Sequence, residues 1–129
     1  MFYLYFDGAS KGNPGNAGCG AVIYDSANVE KTCSSVYLGD NITNNIAEYT
    51  GLVIGLQLAI KENIKELTVY GDSLLVINQL KGVWKVKSNN LVHLYTETNK
   101  LIKYFDKISF VHIKRNLNER ADELANYNL

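Results

Sequence analysis

A segment of helical periodicity from Thr43 to Asn63 separates two β-rich blocks, and no other feature restricts the fold as strongly. Within it Ile46, Val53, Leu56 and Ile60, with Leu52 and Ala59, recur at helical spacing and offer one face to a sheet. Thr43 or Asn44 supplies the N-cap. Ahead of the helix, Phe2–Asp7, Cys19–Tyr24 and Lys31–Leu38 read as strands. Gly8 to Gly18, with Gly12-Asn-Pro-Gly15 inside it, reads as a turn, and Asp25-Ser-Ala-Asn28 as a second one, giving an antiparallel meander. After the helix, Leu67–Tyr70 is a fourth strand, and a helical connection suits parallel pairing. Ser73–Leu80 and Asn90–Phe105 follow as helices, Ile108–Ile113 as a fifth strand, and Asn118–Tyr127 as a closing helix, with Asn116-x-x-Glu119 as its capping box. The order predicts an α/β fold: a five-stranded mixed sheet, three strands antiparallel and two parallel, with helices on both faces.

A chain of 129 residues suits one domain, residues 1–129, and its 47% hydrophobic content excludes disorder. No apolar run approaches the ~20 residues of a membrane span, and the N-terminus lacks a signal-peptide pattern, so a cytoplasmic location is expected. In a hairpin turning near Ser26 to Val29, Cys19 falls opposite Val36 and Cys33 opposite Val22, out of register for a disulfide, so both are expected reduced. The net charge is zero, but unevenly spread: −4 over residues 1–80, +6 over 81–115 and −2 over the last fourteen. A neutral total argues against a nucleic-acid partner, and the basic segment argues for one.

Four carboxylates stand at element boundaries. Asp7 ends the first strand-like run, Glu48 lies in the first turn of the long helix, Asp72 follows the fourth strand, and Asp122 lies near the start of the last helix. In mixed sheets ligands gather beyond the carboxyl ends of parallel strands, where Asp7 and Asp72 fall. Carboxylates crowded there repel one another unless a hard cation lies between them. Paired divalent ions ~4 Å apart are a device for in-line displacement at phosphorus, so the pattern points to a metal-dependent nuclease.

Asp7-Gly8-Ala9, Gly12-Asn-Pro-Gly15, Thr43-Asn-Asn-x-Ala-Glu48, Asp72-Ser73 and Asn118-Glu-Arg-Ala-Asp122-Glu-Leu-Ala125 occur in order from Tyr5 to Ala125. Together they resemble type 1 ribonuclease H. The resemblance implies a ribonuclease H-like fold and endonucleolytic cleavage of the RNA strand of RNA–DNA hybrids, leaving 5′-phosphate and 3′-hydroxyl ends. It implies two Mg²⁺ ions, with Mn²⁺ able to substitute. One, on Asp7 and Asp122, would activate the attacking water; the other, on Asp7, Glu48 and Asp72, would stabilise the leaving oxygen. Gly8, Ala9, Asn44 and Asn45 match positions that touch the RNA strand near its 2′-hydroxyls, and Asn13 and Thr43 match a pocket for a DNA-strand phosphate.

The chain departs from many members in lacking a basic protrusion after the second helix, as in the compact subgroup. Lys81-Gly-Val-Trp-Lys-Val-Lys87 stands there instead, and Trp84 with its lysines is a reduced substitute for gripping the hybrid. Arg115 resembles an arginine that compact members carry before the last helix, with a role at the scissile phosphate or in product release. His112, inside a strand-like run, is expected to be a strand histidine. A monomer is expected, with duplex RNA a second candidate substrate. The competing functions are a non-catalytic nucleic-acid-binding module and a transposase- or integrase-like nuclease on the same scaffold.

Overall fold

The computed structural model describes residues 1–129. The strands and helices are β1 (Phe2–Lys11), β2 (Gly15–Tyr24), β3 (Glu30–Ile42), α1 (Asn44–Lys61), β4 (Glu66–Gly71), α2 (Leu74–Leu80), α3 (Asn89–Ile102), β5 (Lys107–His112) and α4 (Glu119–Asn126), with a 3₁₀ turn at Arg115–Leu117. They build one five-stranded sheet in the order β3-β2-β1-β4-β5. The pairs β1·β2 and β2·β3 are antiparallel, whereas β1·β4 and β4·β5 are parallel. The mixed sheet and its order of elements follow the sequence expectation.

The first hairpin does not. Strand pairing runs on through Gly8↔Cys19, Ala9↔Gly18 and Ser10↔Ala17 to Lys11↔Asn16, so the turn shrinks to the residues between Lys11 and Gly15. The glycines that suggested a long turn have a packing role instead. A side chain at Gly20 would collide with Ala121 and Leu124 of α4, and one at Gly18 with the Ala125 carbonyl. Bare strand surface there lets α4 lie directly on β2. The hairpin register, with Cys19 opposite Val36 and Cys33 opposite Val22, is as expected, and both cysteines are free.

On the opposite face α1 packs on β1 and β2 and is covered in turn by α3. Its approach also depends on small residues. Side chains added at Gly51 and Gly55 would strike the Asp7 carbonyl and Leu4 respectively. Ile46 and Ile60, expected on the sheet-facing stripe, are only partly buried, while Ala47, Leu52, Leu56 and Ala59 are fully enclosed. Leu4, Phe6, Ile23, Leu67 and Val69 from the sheet meet Tyr49, Leu52 and Leu56 from α1 in one core. The Tyr49 hydroxyl donates to Gln79 Oε1, and Gln79 Nε2 donates to the Lys85 carbonyl at 3.4 Å, tying the α2–α3 loop to the core. No helix is long and apolar enough to cross a membrane.

Candidate metal centre and nucleic-acid interface

Parallel pairing of β1 with β4 stops at Phe6↔Gly71. Beyond that pair β1 continues only along β2, while the chain leaves β4 through Asp72 into α2, whose N-cap Ser73 accepts from the Val76 N–H at 3.3 Å. A cleft opens where the two strands part. Asp7 therefore marks the end of the parallel pairing rather than the end of its strand.

The cleft, about 390 Å³, is lined by Asp7, Glu48, Asp72 and Asp122 together with Gly8, Ala9, Asn44, Asn13 and Arg115. Asp7 pairs with Gly20 and so shares the α4 face of the sheet, whereas Glu48 arrives on α1 from the other face. They meet because residue 8 is glycine. A Cβ there would sit inside the Ala47 carbonyl and the Glu48 N–H, so any other residue would push α1 away. Thr43 caps α1, its hydroxyl accepting from Ile46 N–H at 3.3 Å. With the helix starting at Asn44, Glu48 falls just past the first turn in which it was expected.

One carboxylate oxygen from each of Asp7, Glu48 and Asp72 lies within 4.8 Å of the others. Asp7 is 3% and Glu48 4% exposed. Asp7 Oδ1 accepts from Gly8 N–H at 2.9 Å, but Glu48 Oε2 is buried with no partner. Burial, with the Asp72 charge adding to it, pushes the Asp7 carboxyl up to about 7. Burial first, then the Asp7 charge, holds Glu48 well above the usual carboxylate range. Three crowded all-oxygen donors, one of them unpartnered, suit a hard divalent cation. Asp122 borders the same cleft but stands outside that mutual range. Its Oδ1 lies 3.7 Å from the exposed Arg115 guanidinium and accepts from Asn126 Nδ2 at 3.2 Å.

A second hollow of about 330 Å³ lies beside the first, between Asn13, Thr43 and Asn45 on one side and Ser88, Asn90 and Leu91 on the other. Asn13 Oδ1 accepts from Asn44 N–H at 2.9 Å, linking the hairpin turn to the start of α1 and joining the two hollows. Ser88 and Asn90 belong to the start of α3 and were missed in the sequence, because each is an ordinary helix-start residue until the fold sets it beside Thr43. Lys11 and Asn126 in the main cleft were missed for the same reason. Trp84 is not brought to the carboxylates. It is 44% exposed and lines a separate hollow with Gly82, Lys85, Val86, Val92 and Tyr95. His112 ends β5 as expected of a strand histidine, its Nε2 3.3 Å from the Asp72 carbonyl. The expected capping box at Asn116 and Glu119 is absent. The N-cap of α4 is Asn118, and its side chain turns away from the helix toward β1 and Asp72.

The sheet order, the helices on both faces and the acidic cluster at the strand parting define a ribonuclease H-like α/β protein with a candidate metal centre. A family described as reverse transcriptase-like matches residues 5–128. Over 120 aligned residues the chain is 42% identical to a bifunctional protein of Mycobacterium tuberculosis, covering 93% of this chain but only 33% of that protein. It is 37% identical to ribonuclease H of Pseudomonas syringae pv. syringae, covering 95% of this chain and 88% of that one. The crystal structure of LC11-RNase H1 in complex with an RNA/DNA hybrid superposes with a TM-score of 0.92 at 37% identity, over 98% of this chain and 95% of that one. The chain belongs to the ribonuclease HI family.

Proposed function

We propose that this chain is an endoribonuclease that hydrolyses the RNA strand of RNA–DNA hybrids, leaving 5′-phosphate and 3′-hydroxyl ends. One observation carries the reading: the buried carboxylates of Asp7 and Glu48 and the half-buried one of Asp72 converge within 4.8 Å where β1 and β4 part, with a Glu48 oxygen left for an outside partner. Kinship supports it, since a relative of 37% identity is described in complex with an RNA/DNA hybrid.

Asp7, Glu48, Asp72 and Asp122 are the residues that would hold two Mg²⁺ ions, for which Mn²⁺ would serve. Such ions, when bound, supply Lewis-acid activation of water and charge neutralisation at phosphorus. The protein's own part is to aim and to grip. Gly8, by lacking a side chain, admits the backbone of an RNA strand as well as α1. Asn44 and Asn45, at the start of α1, present amides to the 2′-hydroxyls that distinguish RNA from DNA. Asn13 and Thr43 line the second hollow, which suits a phosphate of the DNA strand, with Ser88 and Asn90 opposite. Ala9 contributes its backbone only. Trp84, with Lys81, Lys85 and Lys87 around it, serves as a remote grip on the duplex. Arg115, exposed and 3.7 Å from Asp122, would contact the scissile phosphate or draw product away; a guanidinium does not shuttle protons at neutral pH.

The test is cleavage of labelled hybrid, duplex DNA and duplex RNA, with and without Mg²⁺, by the parent and Asp7→Asn. Metal-dependent cleavage of hybrid RNA, lost in Asp7→Asn, is expected. Binding without cleavage would make the chain a non-catalytic module, and cleavage of duplex DNA would favour the transposase-like alternative.

A further inference from the structure

One buried amide borders the acid cluster without being part of it. Asn118 is 1% exposed, yet it is polar and lies at the edge of the acidic cleft. Its Nδ2 donates two hydrogen bonds of 2.9 Å, one to the Phe6 carbonyl and one to Asp72 Oδ2. Its backbone carbonyl accepts from Asp122 N–H at 3.0 Å. Its Oδ1 is buried with no partner, and the side chain makes no capping bond to its own helix. An N-cap asparagine normally spends its oxygen on the helix N–H groups. Here that interaction is forgone, leaving a buried acceptor unsatisfied at a cost in stability. What the side chain does instead is join three acid-bearing segments: β1 one residue before Asp7, the Asp72 turn, and the first turn of α4 that carries Asp122.

We propose that Asn118 is a positioning residue that fixes the Asp72 carboxylate toward Asp7 and Glu48 and sets α4, with Asp122, in register with them. The chemistry of the contact supports this. A neutral amide donor occupies one lone pair of Asp72 Oδ2 without neutralising its charge, so the carboxylate is oriented and remains available to a cation. A lysine or arginine there would compete with the cation, and an apolar residue would leave both the Phe6 carbonyl and the Asp72 oxygen without donors. Groups that orient ligand carboxylates in this way typically contribute 10–100-fold in metal affinity. The proposal rests on the metal-centre reading above, but it concerns ligand geometry and not the choice of nucleic acid.

The experiment is calorimetric titration of Mn²⁺ into the protein without substrate, for the parent, Asn118→Ala, Asp72→Asn and the double variant. The same four proteins are assayed for hybrid cleavage across a range of metal concentrations. Asn118→Ala is expected to bind Mn²⁺ about tenfold more weakly. Its cleavage should recover at high metal concentration. In the Asp72→Asn background, removing Asn118 should change Mn²⁺ affinity less than twofold, because the carboxylate it acts through is gone. Parent-like affinity in Asn118→Ala would overturn the proposal, and so would an equal loss in both backgrounds, which is the mark of a merely structural role. If circular dichroism shows Asn118→Ala unfolded, Asn118→Asp keeps the shape while removing the amide donor. Weakened Mn²⁺ binding in that variant supports the proposal, and equal or tighter binding overturns it. A parent that binds Mn²⁺ but leaves hybrid uncut would sink the nuclease reading alone.

Discussion

Replacing Glu48 by Gln should stabilise the metal-free protein while disabling it. The substitution keeps the length and shape of a side chain that is 4% exposed and removes its capacity to ionise beside Asp7 and Asp72. Burial and the Asp7 charge raise the Glu48 carboxyl, which holds its proton against Asp7, and Asp7 itself stands at about 7. The sign follows from linkage. Carboxyls raised in the folded state favour folding below their unfolded values near 4, and that stability is lost as pH climbs through the folded values. For Asp7 the loss runs from 3.8 to about 7 and amounts to about 4 kcal/mol at alkaline pH. Glu48 carries a cost of the same kind at pH 8, from burial first and the Asp7 charge second, and Gln, which has no proton to lose, is free of it, a gain of roughly 2 kcal/mol. For a domain of this size that is a rise in Tm of about 6–8 °C. Thermal unfolding followed by circular dichroism in a chelator, at pH 8 and pH 5, is the assay. The variant should melt higher at pH 8, and the gap should close at pH 5, where Glu48 of the parent carries a proton. Saturating Mg²⁺ should reverse the order, since a ligand at 100 times its Kd adds about 2.7 kcal/mol to the parent. A variant no more stable than the parent at pH 8 in chelator would refute the argument that crowded, desolvated charge dominates this site.

Three further outcomes follow from the same geometry. Gly8→Ala drives a methyl group into the Ala47 carbonyl, so urea unfolding should show a loss of about 2–3 kcal/mol, with cleavage falling further than stability as Glu48 is displaced. Arg115→Ala removes an exposed cation beside Asp122, and steady-state kinetics should show kcat lowered about tenfold, worth ~1.4 kcal/mol, with Tm unchanged; unchanged turnover would remove Arg115 from the mechanism. Hybrid binding should weaken steeply with salt, and replacing Lys81, Lys85 and Lys87 by Ala should flatten the log–log slope by about 2–3; an unaltered slope means that these lysines and Trp84 lie off the duplex path.

How much of this was legible in the sequence differs from element to element. The strand and helix order was, because each element carries its own periodicity and each carboxylate stands at a boundary. The hairpin register of Cys19 and Cys33 was also legible, since a turn position fixes pairing arithmetically. The Gly8 to Gly18 segment misled because glycine has two uses. Locally it signals a turn, but here it clears strand surface for α1 and α4, and only the packed structure distinguishes the two. The α1 stripe was read from its largest residues, while Gly51 and Gly55 set the distance to the sheet. Asn118 was quoted in a motif yet read as a helix start, since its partner carbonyl on Phe6 is 112 residues away. Asp122 was grouped with the other three acids, and it lines their cleft, near enough to Asp7 to raise its carboxyl through a side-chain hydrogen bond, but outside the range within which the other three all meet.

The arrangement explains why the centre forms where it does. Where β1 and β4 end their parallel ladder, β1 continues for five more residues along β2 alone. Past Phe6 the edge of β1 that faced β4 loses its strand partner, and the Asn118 amide meets the Phe6 carbonyl that remains. Side chains beyond that point are enclosed by helices on both faces yet open at the parting, so Asp7 can be almost fully buried and still face a cleft. Burial makes its charge costly, and openness gives that charge a remedy in an ion from solution. A carboxylate moved two residues back along β1, to position 5, would lie among Tyr24 and Tyr70 and face a different hollow, which neither Glu48 nor Asp72 lines. Moved two residues on, to position 9, it would be half-exposed and only weakly driven to bind. The fold therefore admits this chemistry at one step of the strand, and Gly8 beside it is what lets the second helix-borne acid arrive.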